Sequence, residues 1–167
     1  MRVFGITGFS GSGKTTLIER VLPRLRARGL TVSVVKHSHH DFDLDRPGKD
    51  SWRQREAGAQ EVLLSGGQRW ALMRELRAGE APPGLGQLLT RLAPCDLVLV
   101  EGYKREFLPK LEVHRAVLGR DWLYPHDCHI LAVAADVEPP GKINRIDINN
   151  IEQLSFFIEE NSGEISC

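Results

Sequence analysis

The nine residues GFSGSGKTT, Gly8 to Thr16, restrict the fold of this chain more than any other stretch. They follow the apolar run Val3 to Ile6, precede a segment of helical periodicity, and from Gly8 read G-x-x-x-x-G-K-T, the phosphate-binding loop signature. A polyphosphate needs several backbone N–H groups turned inward at once. That drives the chain through turns a Cβ resists, so Gly8, Gly11 and Gly13, with Ser10 and Ser12 between them, suit the loop. Lys14 supplies an ammonium for the terminal phosphates and Thr15 a hydroxyl for Mg²⁺. The helix that begins here, through Thr16, turns the positive end of its dipole toward the anion.

The order of elements follows from periodicity. Leu17, Ile18, Val21, Leu22 and Leu25 share one helical face between Thr15 and Arg28, with Gly29 as its terminator and Pro23 as a local conflict. LTVSVVKH, Leu30 to His37, reads as a strand and completes a right-handed β-α-β unit. After a polar stretch, a helix is predicted from Asp50 or Ser51, either of them a capping residue. EVLLSGGQRWALM reads as two strands joined by a two-residue Gly66-Gly67 turn. A short helix over Leu85 to Leu92 leads into CDLVLVEGYK, whose apolar run suits a strand covered on both faces. KLEVHRAV, HILAVAAD and the edge segment NRIDINN add strands, and a helix from Ile151 to about Glu160 ends the chain. The sum is a single α/β domain over residues 1–167, of the P-loop NTPase type: a mostly parallel sheet with helices on both faces and a β-hairpin insertion.

A phosphate loop needs a second carboxylate at the end of a neighbouring strand, and LVLVEG puts Glu101 there. It is a candidate catalytic residue with Lys14 and a candidate Mg²⁺ ligand with Thr15, directly or through a water. KHSHHDFDLD begins where the second strand ends, so Lys36, His37, His39, His40 and Asp41 fall where open α/β sheets bind ligands. His37, His39 and His40, with Asp41 and Asp43, either ligate a metal, accept a proton, grip a polar substrate or form a solvated turn. Lys49 and Asp50 continue that stretch. Lys49, Arg53 and Arg55 form either a basic wall for an anion or an ion-paired helix face. Asp136, ending LAVAAD, either accepts the paired donors of a guanine or serves a structural use common to a strand-terminal aspartate. Twenty-two basic and 22 acidic side chains cancel, which leaves no footprint for nucleic acid. Three scattered cysteines and no apolar run of membrane-spanning length lead us to expect a cytoplasmic protein without a membrane partner.

Taken together, GFSGSGKTTL, VKHSHHDFDLDRPGKDSWRQREAGA, QRWALM, DLVLVEGYK and ILAVAAD resemble the molybdopterin-guanine dinucleotide biosynthesis protein B family. The resemblance implies a cytoplasmic GTP-binding homodimer with weak GTPase activity at most. It further implies an adapter for the nucleotidyltransferase that attaches GMP to the pterin of the molybdenum cofactor. By position, Gly11 to Thr16 would hold the phosphates and Mg²⁺, Glu101 would complete the metal site, and Asp136 would lie near the base. His37, His39, His40, Asp41, Lys49 and Asp50 would occupy the family's signature loop, a place for contact with molybdopterin or a partner. The loop has Phe9 and Ser10 where related deviant P-loop ATPases carry an extra lysine. Two alternatives remain from the residues alone: a small-molecule kinase with His39 or Asp41 as base, and a metallochaperone GTPase whose His/Asp loop binds a divalent ion.

Overall fold

In the computed structural model, which describes residues 1–38 and 43–164, the first apolar run is strand β1 (Arg2–Thr7) and the glycine-rich loop leads into helix α1 (Lys14–Ala27). Leu17, Ile18, Val21 and Leu25 form the buried stripe of α1, which continues through Pro23. Gly29, at φ 85°, ends it. The Gly29 N–H donates to the Arg26 carbonyl at 2.9 Å and the Leu30 N–H to the Leu25 carbonyl at 3.3 Å. This pair of bonds is the Schellman closure, which needs a left-handed residue. The chain then returns as β2 (Val32–Lys36).

There follow α2 (Asp50–Glu56), the hairpin β3 (Glu61–Ser65) and β4 (Trp70–Arg74), α3 (Leu85–Leu89), β5 (Leu97–Glu101), β6 (Lys110–His114), β7 (Ile130–Ala135), β8 (Asn144–Asp147), α4 (Ile151–Asn161) and β9 (Gly163–Glu164). Six strands run parallel in the order β2-β5-β1-β6-β7-β8, and β9 pairs antiparallel with Arg2 and Val3 of β1. Strand alternation sorts the core into two layers. Phe4, Ile6, Leu97 and Leu99 face α1 and α4, while Val3, Val98 and Val100 face Leu85 and Leu89 of α3. Both faces of the sheet are therefore covered, as the continuous apolar run of β5 predicts.

The chain divides into two compact units, Met1–His37 with Leu85–Cys167, and Ser38–Gly84. The hairpin and α2 lie in the second unit. Two local expectations are corrected there. Ser65 pairs with Trp70, and the Gly66 N–H donates to the Arg69 carbonyl at 2.9 Å, so the tip is Gly67-Gln68 rather than Gly66-Gly67. Neither glycine adopts the left-handed φ that a primed turn needs. Helix α2 starts after Lys49, without a side-chain cap. Asp50 is its first residue, and Ser51 donates its hydroxyl to Asp45 Oδ1 at 2.7 Å.

Candidate phosphate-binding site

Strands β1, β5 and β2 finish at one level. Parallel register pairs Ile6 with Glu101 and Glu101 with Lys36, and the phosphate loop leaves β1 one residue later, after Thr7. The loop itself needs its glycines. A Cβ on Gly8, at φ 143°, would meet the Val113 carbonyl oxygen at 2.4 Å and Ser12 Oγ at 2.7 Å, so the loop lies flush on β6. Gly11 and Gly13 have φ of 81° and 95°, and Gly13 occupies the cap position of α1 with no side chain closing the helix end. No acidic residue lies in the first turn. The first amides of α1, including those of Lys14, Thr15 and Thr16, therefore remain as anion donors at a positive dipole end.

Lys14 Nζ donates to the Gly8 and Phe9 carbonyl oxygens at 3.0 and 2.8 Å, bracing the loop it belongs to. Burial pushes its pKa below the usual lysine range; Glu101 opposes that shift, and the neighbouring Lys104 and Lys36 add to it. Thr15 donates its hydroxyl to Glu101 Oε1 at 2.8 Å. The two oxygens predicted to hold Mg²⁺ thus stand about as far apart as adjacent ligands of an octahedral ion with ~2.1 Å bonds. Glu101 is buried. With loop amides, a lysine and this oxygen pair together, the residues fit a magnesium-bound polyphosphate. Lys36 Nζ lies 3.4 Å from Glu101 Oε1 and 3.3 Å from Thr15 Oγ1.

Beyond Glu101 the chain turns through two left-handed residues, Gly102 (φ 93°) and Tyr103 (φ 45°). The residue that follows β2 adds a second reason for the glycine: a Cβ on Gly102 would come within 3.2 Å of His37 Cβ. The His37 ring meets Tyr103 edge-on with centroids 4.9 Å apart, which places His37 beside the site. Two further cations, Lys104 and Arg120, lie against the Phe9 ring at 4.3 and 5.7 Å. Arg120 has no signal in the sequence, because only closure of the loop between β6 and β7 brings it to Phe9.

Asp136, just after β7, ends on the same carboxyl edge of the sheet. Its carboxylate accepts the Ala116 N–H at 3.0 Å and faces Arg115 at 3.6 Å. Those contacts hold its pKa below the usual aspartate range. Asp136 therefore fixes the turn after β6 whatever else it touches. In the Ser38–Gly84 unit, Lys49 and Asp50 are exposed at the start of α2. Arg55 is enclosed by acids, with Asp43 at 2.9 Å, Asp45 at 3.4 Å and Glu75 at 2.5 Å, so it belongs to an ion-paired face rather than a basic wall. His39, His40 and Asp41 lie outside the described residues. Among the described residues, no helix is long and apolar enough to cross a membrane.

Residues 3–136 match the family described as molybdopterin guanine dinucleotide synthesis protein B. A molybdopterin-guanine dinucleotide biosynthesis adapter protein of Haemophilus influenzae is 47% identical over 159 residues, 94% of this chain and 87% of its own. The protein of the same description from Escherichia coli is 40% identical, covering 95% and 91% of the two chains. Among solved structures, a molybdopterin-guanine biosynthesis protein B superposes with a TM-score of 0.75 at 31% identity, over 95% of this chain and 97% of that one. A homologue from Bacillus stearothermophilus gives 0.69 at 30% identity, over 96% and 99%. With the loop, the strand order and these relatives in agreement, the chain belongs to the molybdopterin guanine dinucleotide synthesis protein B family.

Proposed function

We propose that this protein binds GTP with Mg²⁺ at the Gly8–Thr16 loop and hydrolyses it slowly. Its role is that of a cytoplasmic adapter for the nucleotidyltransferase that makes molybdopterin guanine dinucleotide. The observation that carries the nucleotide half is the Thr15–Glu101 oxygen pair, at 2.8 Å, beside an uncapped helix start and Lys14. The adapter half is supported by family membership and by what the relatives are called.

Each residue then has a task. Gly11, Ser12, Gly13 and the first amides of α1 bind the phosphates, and Ser10 shapes the loop. Lys14 exchanges its two carbonyl partners for phosphate oxygens. Thr15 and Glu101 hold Mg²⁺, which supplies charge neutralisation on the phosphates. Glu101 is already bonded to Thr15 and Lys36, which suits metal holding better than proton abstraction. Asp136 reads the guanine edge with the lone pairs its structural bonds leave over. Slow turnover fits a site whose arginine finger arrives with a partner.

His37, His39, His40, Asp41, Lys49 and Asp50 are the residues we assign to contact with the transferase or the pterin. The exposed apolar side chains Leu63, Trp70 and Leu72 suit a second copy, giving a homodimer. Calorimetric titration with Mg·GTP and Mg·ATP tests the reading. We expect a guanine preference above about tenfold, or 1.4 kcal/mol, eroded in Asp136→Asn. Lys14→Ala should lose triphosphate binding. Equal affinity for the two nucleotides would overturn guanine recognition, and unchanged binding by Lys14→Ala would overturn the site itself.

A further inference from the structure

The register that pairs Lys36 with Glu101 gives the rim a cation that the phosphate-loop signature does not call for. Lys36 Nζ lies 3.3 Å from Thr15 Oγ1 and 3.4 Å from Glu101 Oε1, on the same two oxygens assigned to the metal. Glu101 is 8% exposed, so desolvating its charge is costly unless a cation stays close. Lys36 is 56% exposed, and its four-carbon stem leaves the ammonium free to move. An ammonium and a divalent ion on one oxygen pair repel each other strongly at such distances.

We propose that Lys36 competes with a divalent cation for Thr15 and Glu101. When the cation takes those oxygens, Lys36 transfers its ammonium to the terminal phosphate of a nucleoside triphosphate. The glutamate then keeps a counter-charge in every state, and the cation lost from Glu101 is gained by the one phosphate that distinguishes triphosphate from diphosphate. Lys36 is thus a binding residue specific for the triphosphate. The inference rests on the reading of this loop as a triphosphate site.

Two measurements on the full chain test it. Without nucleotide, Mn²⁺ binding followed by electron paramagnetic resonance should strengthen about tenfold in Lys36→Met, because the competing charge is gone. Lys36→Arg, which keeps the charge, should stay near the wild-type value. With Mg²⁺, calorimetry should show Lys36→Met weakening GTP at least about tenfold more than GDP. Equal Mn²⁺ affinity in wild type and Lys36→Met, or an equal loss of GTP and GDP, would overturn the proposal. A wild-type protein that binds Mn²⁺ and no GTP would instead sink the nucleotide reading, and the Mn²⁺ comparison would still be legible.

Discussion

The unit formed by Met1–His37 and Leu85–Cys167 and the unit Ser38–Gly84 are held together by different forces. In the first, β5 and β6 are buried along their whole length, and one apolar cluster runs from Phe4 to Ile158. In the second, Val62 and Ser51 are the buried residues among those described. Beyond the β3–β4 ladder and α2, its side-chain contacts are largely ionic: Arg55 joins Asp43, Asp45 and Glu75, and Arg74 joins Glu61 and Glu80. One unit is fixed by burial, which ionic screening does not weaken. The other is fixed by charge, which it does weaken.

The comparison can be broken most forcefully from the buried side. Phe4 is fully buried and meets Phe157 edge-on, so Phe4→Ala should cost about 3–5 kcal/mol in urea unfolding. A much smaller loss would show that the larger unit does not depend on its core as described. Gly29→Ala comes next. Nothing lies within 4 Å of the added Cβ, but φ is 85°, so the loss should be about 1–2 kcal/mol, from backbone strain alone.

Acid should find the smaller unit first. The Asp45 N–H, with further help from Arg55, holds the pKa of Asp43 below the usual aspartate range. A lowered carboxylate pKa means stability present above the ordinary value and lost as pH falls through the folded one. Hydrogen exchange at pH values descending through that window should show residues 43–84 losing protection before the amides of β5. High salt at neutral pH should lower protection in the same unit. Simultaneous loss in both units would contradict the division. Smallest of all, Glu61→Gln removes one exposed partner of Arg74 at 3.2 Å and should change stability by no more than about 1 kcal/mol.

Legibility in the sequence follows the same divide. Periodicity announced β1, α1, β5 and α4, because apolar residues repeat where the core needs them, and Gly8, Lys14, Thr15 and Glu101 fell where the loop signature and a strand end put them. The sequence marks Lys36 by its place at the end of the second strand. Its pairing with Glu101 depends on β2 lying beside β5, and strand order is a long-range property with no local signal. Arg55 was ambiguous for a related reason. A basic residue on a polar helix looks the same whether it awaits an anion or already holds three acids, and only the path from Asp43 to Glu75 decides. The hairpin tip was missed because two glycines imply a turn without fixing its register.

Gly5 carries a consequence that reaches the phosphate loop. A methyl group there would fall 2.7 Å from Lys110 Cγ and 2.7 Å from Leu108 Cδ1, so the middle of β1 is bare to let the buried lysine pass. Lys110 then reaches the Lys104 carbonyl at 2.9 Å, and Lys104 rests its own ammonium on the Phe9 ring. Four residues thus form a relay in which an absent side chain sets where a charge stands at the loop. Gly5→Ala is the substitution that would carry this from the centre of the sheet to its rim: a change without charge, in a strand interior, read out as a displaced cation beside the phosphate loop.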